Sequence, residues 1–180
     1  MTKKQALLKA AESKVRQGGY SNFSFRELAT DVGIKSASVH YHFPTKADLG
    51  AELARQYTDN FLDALGDPET LVSEGKNPID TYAGLFQQAL IQDEKMCLCG
   101  LLGAETDCLP EKVKAETKLF FERNLAWLEV AHGLYKKVSK EEAQRMAIKT
   151  VSLLEGAMMI SKAINNNDLF NHAVELAKAP

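Results

Sequence analysis

The sequence predicts an all-α chain, an N-terminal three-helix helix-turn-helix domain followed by a larger helical domain, and three observations carry that prediction. Apolar residues recur at three- and four-residue spacing along most of the 180 residues and nowhere alternate with period two over a β-branched stretch. Helix start and stop signals, among them serine capping boxes, an Asn-Pro pair and a Gly-Gly pair, punctuate the chain. The two ends differ in charge: residues 1–50 hold 8 Lys/Arg against 4 Asp/Glu, giving +4, and residues 51–180 hold 14 against 20, giving −6, which sum to the chain's −2. A basic head on an acidic body suits a protein that presents one end to phosphate.

Taken in order, Leu7, Leu8, Ala11 and Val15 form the apolar stripe of a first helix that begins almost at the amino terminus, and Gly18-Gly19 ends it with a left-handed turn. Ser24-Phe25-Arg26-Glu27 has the spacing of a capping box and opens a second helix. That helix is expected to reach about Val32, because Gly33 accepts the positive φ of a tight turn and Ile34 fills the space between the helices it joins. A short third helix, from about Ser36 to His42, stops at Pro44. Thr45 caps a long fourth helix carrying Leu49, Leu53, Tyr57 and Phe61. Gly66 to Gly75 reads as a loop or an irregular short helix.

Asn77-Pro78 begins a fifth helix expected to run to about Asp93. Cys97 to Asp107 reads as a short helical piece interrupted by glycine. Pro110 to Tyr135 and Ser139 to Asn165 are the longest helices, and a last short one follows Asn167-Asp168. The two long helices are apolar on more than one side, so the second face needs a cover. One reading is a homodimer through a four-helix bundle, with Trp127, Ala131, Val151 and Leu154 at the interface. The other is that both helices lie centrally within one chain. The expected division is a small head over 1–46 and a larger helical body over 47–180.

No apolar stretch is long enough for a signal peptide or a membrane span, so a cytoplasmic protein without membrane association is expected. The three cysteines, Cys97, Cys99 and Cys108, are then expected to stay reduced. Residues two apart on a helix point about 200° from each other, which stops Cys97 and Cys99 from sharing a metal there. Two readings of the thiols remain, small buried hydrophobes or a sensor of oxidant or electrophile. No Gly-rich phosphate loop, His-Glu-x-x-His or nucleophile elbow occurs, and the histidines at 40, 42, 132 and 172 show no paired-base spacing, so neither enzymatic activity nor a cofactor is expected.

The informative stretch is Phe23 to Lys46. A helix-turn-helix needs a supporting helix, a glycine turn and a short second helix whose outward side chains are small or polar, to enter a major groove about 12 Å wide. Ser36, Ala37 and Ser38 are small enough for that approach, Tyr41, His42 and Lys46 stand where phosphates would be met, and Ser24 and Lys35 flank them. The string Gly33-Ile34-Lys35-Ser36-Ala37-Ser38-Val39-His40-Tyr41-His42-Phe43-Pro44-Thr45-Lys46 resembles the signature of TetR-family transcriptional repressors. The resemblance covers about the first 60 residues. It implies that Arg26 reaches a base edge, that Tyr41 contacts phosphate, and that Lys46 meets phosphate at the amino end of the fourth helix. His40 departs from the aromatic residue usual there, so either a DNA contact or a packing role is open to it.

The resemblance further implies a double-stranded, palindromic operator, and a small-molecule effector of unknown identity that releases the protein from it. Phe86, Leu90, Met96, Cys97, Leu101, Phe120 and Met158 are the candidate lining of an effector cavity, with ordinary core as the alternative for each.

Overall fold

The computed structural model describes residues 1–178. Among the described residues ten α-helices are formed: α1 (Lys3–Gly18), α2 (Phe25–Val32), α3 (Ser36–His42), α4 (Lys46–Leu65), α5 (Pro68–Ser73), α6 (Pro78–Gln87), α7 (Leu98–Ala104), α8 (Glu111–Lys136), α9 (Lys140–Ile164) and α10 (Asn167–Lys178). No strand occurs among the described residues. The expected caps form as hydrogen bonds, except that the box at Ser139 is half made: its hydroxyl accepts from the Glu142 amide while the Glu142 carboxylate pairs with Arg145. Ser24 Oγ accepts from the Glu27 amide while the Glu27 carboxylate accepts from the Ser24 amide at 2.8 Å. Thr2 and Gln5 make an equivalent box at the start of α1, a Thr-x-x-Gln signal that the apolar stripe overshadows in the sequence.

Two expectations are refined. The segment from Gly66 to Gly75 contains a full short helix, α5, because Asp67 caps it and Pro68 takes its first position. The helix expected over 78–93 is regular only to Gln87; residues 88–92 widen into a π turn, closed where the Asp93 amide reaches Gln88 O at 3.0 Å.

The chain forms two compact units. The first comprises Met1–Thr58 and Leu98–Phe120; the second comprises Asp59–Cys97 and the chain from Phe121 onward. This differs from a boundary at residue 46, because the beginning of α4, all of α7 and the beginning of α8 are knitted to the head. α7 packs on α1. Lys112 pairs with Asp48 at 2.5 Å. Gly50 of α4 lies so close to Tyr20 and Val113 that an added Cβ would stand 2.7 Å from the Tyr20 ring. The core of this unit is Leu7, Leu8, Ala11, Val15, Phe23, Leu28, Val39, Phe43, Leu49 and Leu53, all buried.

In the second unit α10 packs along α9 and against α6. Its centre is aromatic: Tyr82 stacks on Trp127 at 5.8 Å and meets Phe61 edge-on at 5.6 Å. Buried Tyr82 donates to Asn124 Oδ1 at 2.9 Å, which satisfies its hydroxyl away from water.

Candidate nucleic-acid interface

The candidate interface is built on the α2–turn–α3 pair. Gly33 adopts φ 71°, and the Gly33 and Ile34 amides close on Thr30 O and Ala29 O, so α2 stops within one residue and the chain turns at once into α3. α3 is short and has one buried side, where Val39 is fully buried and Phe43 follows beneath it. Ser36, Ala37, His40 and Tyr41 are exposed, and Ser38 and His42 are half-buried. Tyr41 is 85% exposed, and no core contact accounts for an aromatic ring in that position.

Arg26 projects from α2, exposed, and its guanidinium makes no ion pair among the described residues. Lys35 is exposed at the N-cap of α3. His40 packs edge-on against Phe25, with ring centroids 4.9 Å apart, and its Nδ1 lies 3.4 Å from Pro44 O. One side of its ring is thus fixed within the head. Ser24 is engaged in its capping box, and the bond from its hydroxyl is the main cause that holds the Glu27 carboxyl below its ordinary pKa.

Lys46 turns inward. Its Nζ donates to Phe23 O at 2.7 Å and lies over the Phe23 and Tyr20 rings at 4.3 and 4.8 Å. Burial lowers its pKa, with Glu27 and Glu105 opposing. The head therefore uses this lysine to tie the start of α4 to the chain that precedes α2. Lys46→Met is expected to destabilise the protein by about 1 kcal/mol, because a carbonyl acceptor and two ring faces lose their partner. Urea denaturation is the check; an unchanged midpoint would refute the tie.

The candidate effector residues fall in different units. Phe86, Leu90, Met96, Cys97 and Met158 are buried in the second, where the Cys97 amide donates to Met158 Sδ at 3.1 Å. Leu101 and the buried Phe120 belong to the first. Cys99 is buried and Cys108 exposed. Among the described residues no group of three His, Cys, Asp or Glu side chains gathers as a metal ion needs, and no helix is long and apolar enough to cross a membrane.

The expected dimer face needs correcting. Ala131 and Leu154 are fully buried and Val151 nearly so within their own chain, while Trp127 stacks on Tyr82 and donates to Gly66 O at 2.8 Å. Ala131, Val151 and Leu154 are core, and half-buried Trp127 is engaged within its own chain. The exposed apolar side chains of the second unit are instead Val130, Leu134 and Tyr135 on α8, Ile148, Met159, Ile160 and Ile164 on α9, and Leu176 on α10. Both faces of each long helix are greasy, so helical period alone does not say which one is inside.

Residues 7–53, which hold nearly all of α1, the α2–turn–α3 pair and the first turns of α4, match the family model for bacterial regulatory proteins of the tetR family. A TetR transcriptional regulator from Legionella pneumophila is 28% identical, over 99% of this chain and 96% of its own, with a TM-score of 0.91. The head matches the TetR family, and the whole chain resembles TetR-family transcriptional regulators. It is a DNA-binding transcriptional regulator with a helix-turn-helix, and its relatives are regulators rather than enzymes. A TetR-family regulator from Agrobacterium tumefaciens is 25% identical, over 98% of this chain and 96% of its own, with a TM-score of 0.83. The reduced form of Escherichia coli NemR shares the fold at 22% identity, with a TM-score of 0.79 over 98% of this chain and 96% of its own. No curated protein matches the chain.

Beyond the family's motif, the structure brings forward two residues whose roles the sequence does not indicate. Glu105 reaches the turn after α1, and Glu155 is enclosed in the second unit. Neither carries a local signal, since each is one acidic residue among 24 and its role comes from partners far along the chain.

Proposed function

We propose that this TetR-family regulator is a homodimeric, cytoplasmic repressor that reads a palindromic operator and is released from it by a small molecule. The exposure pattern of α3 carries the reading: Val39 and Phe43 anchor the helix, and a row of small and polar side chains ending in bare Tyr41 is left outward. Ser24, Arg26, Lys35, Ser36, Ala37, Ser38, His40, Tyr41, His42 and Lys46 form the proposed contact set. Arg26 is the base reader, Tyr41 a phosphate contact, and Lys46 acts chiefly by placing the start of α4. Residues 1–46 supply the reading elements, and residues from 47 onward bind effector and dimerise. Effector contact is assigned to Phe86, Leu90, Met96, Cys97 and Met158 of the second unit. The effector acts by binding the DNA-competent and DNA-incompetent arrangements with different affinity.

Selection of bound sequences from random duplex tests this directly. Enriched sites should be inverted repeats whose half-sites are spaced by about 34–36 Å or a multiple of it. Recovery of no preferred sequence at moderate salt would refute the reading. Arg26→Ala should lower discrimination at one base pair per half-site by about 1–3 kcal/mol, read by competition with single-base variants of the operator. Discrimination that stays whole would remove Arg26 from base reading.

A further inference from the structure

The turn between α1 and α2 is held by a side chain from a distant part of the sequence. Glu105, just after α7, accepts a hydrogen bond from the backbone amide of Tyr20 through Oε2 at 2.9 Å. Its other oxygen lies against Gly19, where a Cβ would stand 1.7 Å from Oε1, and Gly19 itself has φ 79°. The turn thus has room for this carboxylate only because residue 19 is glycine. Two further contacts close on the same turn: Lys46 bonds to Phe23 O, and Gly50 lies against the Tyr20 ring. Ser24, the cap of the supporting helix α2, follows this turn directly.

We propose that Glu105 is a positioning residue for DNA reading, the grip by which α7 fixes the α1–α2 turn and so the orientation of the α2–α3 pair. The inference rests on that pair being the DNA reader. A head whose turn is loose spends part of its time in orientations that do not match the groove, and its apparent affinity falls by the fraction of competent molecules. What the role needs is reach and an acceptor oxygen for the Tyr20 amide; the charge adds a weaker attraction to the Lys46 ammonium, which also ties down this turn.

Two conservative variants separate these demands. Glu105→Gln keeps the reach and an acceptor, while Glu105→Asp keeps the charge and withdraws it by one methylene. The full-length protein is compared in two measurements, hydrogen exchange at the Tyr20 amide without DNA and affinity for duplex selected by the wild type. E105D should exchange the Tyr20 amide about tenfold faster or more and bind the selected duplex about tenfold more weakly, with E105Q within about threefold of wild type in both. A charge-driven role predicts the reverse order. Wild-type exchange in E105D, or faster exchange with unchanged operator affinity, overturns the proposal. If the wild type selects no duplex, the DNA-reading premise fails, and the exchange measurement still decides whether the grip exists.

Discussion

Replacing Glu155 with glutamine is expected to stabilise the protein by up to about 3 kcal/mol at pH 8 and to change it little at pH 4. Glu155 retains some surface, but its Oε1 is sealed from solvent and has no hydrogen-bond partner among the described residues. Burial raises its pKa from 4.5 to about 7, and the bond with the Cys97 thiol opposes that rise only in part. The native state therefore holds a proton that the unfolded chain releases near pH 4.5. Below that value both states are protonated and nothing is lost. As pH rises from 4.5 to 7 stability drains away, and above 7 the native protein carries a poorly solvated charge. Glutamine keeps the shape and never ionises, so its advantage should open across that window. Equal urea midpoints for both proteins at pH 8 would show that Glu155 is adequately solvated.

His132 pulls the other way. Its side chain is buried between Thr150, to which Nε2 is bonded at 3.0 Å, and surroundings that leave Nδ1 without a partner among the described residues. Burial first, then Lys136 and Lys149, lower its pKa to about 4. The stability tied to its neutral ring is full above pH 6.5 and is lost as pH falls toward 4. In the wild type the two slopes oppose each other between about pH 4.5 and 6.5. In Glu155→Gln only the histidine slope remains, so the variant should gain stability with rising pH where the wild type changes little.

The parts of the fold readable in the sequence are those governed by neighbours within four residues. The Ser24–Glu27 box, the Gly33 turn and the Asn77-Pro78 start are local chemistry, and each forms at the expected place. The TetR signature is local in the same sense, one turn and one short helix. What the sequence hides is set by distant partners. Nothing near Lys46 says that its ammonium will find the carbonyl of Phe23, and nothing near Glu105 points to the amide of Tyr20. The long helices hide their orientation for a different reason. Trp127, Ala131, Val151 and Leu154 make a good apolar stripe, but so do Val130, Leu134, Ile148 and Ile160, and only tertiary packing chooses between them.

That choice yields the other large expected effect. Placing glutamate at both Leu134 and Ile160 should convert the protein to a monomer and weaken operator binding by about 100-fold or more, since two linked reading heads share one binding event and a single head does not. Leu134 is 39% exposed and Ile160 51% exposed in the single chain, so a carboxylate at either site meets water in the monomer and should cost the fold little. In a dimer paired through this surface the same carboxylates are buried against the partner copy, away from water. Val130, one turn before Leu134 on α8, and Ile164, one turn after Ile160 on α9, lengthen the two exposed apolar runs beyond scattered single residues. Sedimentation and a melting curve separate the two effects: a monomer with an unchanged midpoint places the interface here. A variant that remains dimeric and binds operator as tightly as the wild type would move the interface elsewhere and leave this stripe without a role in assembly.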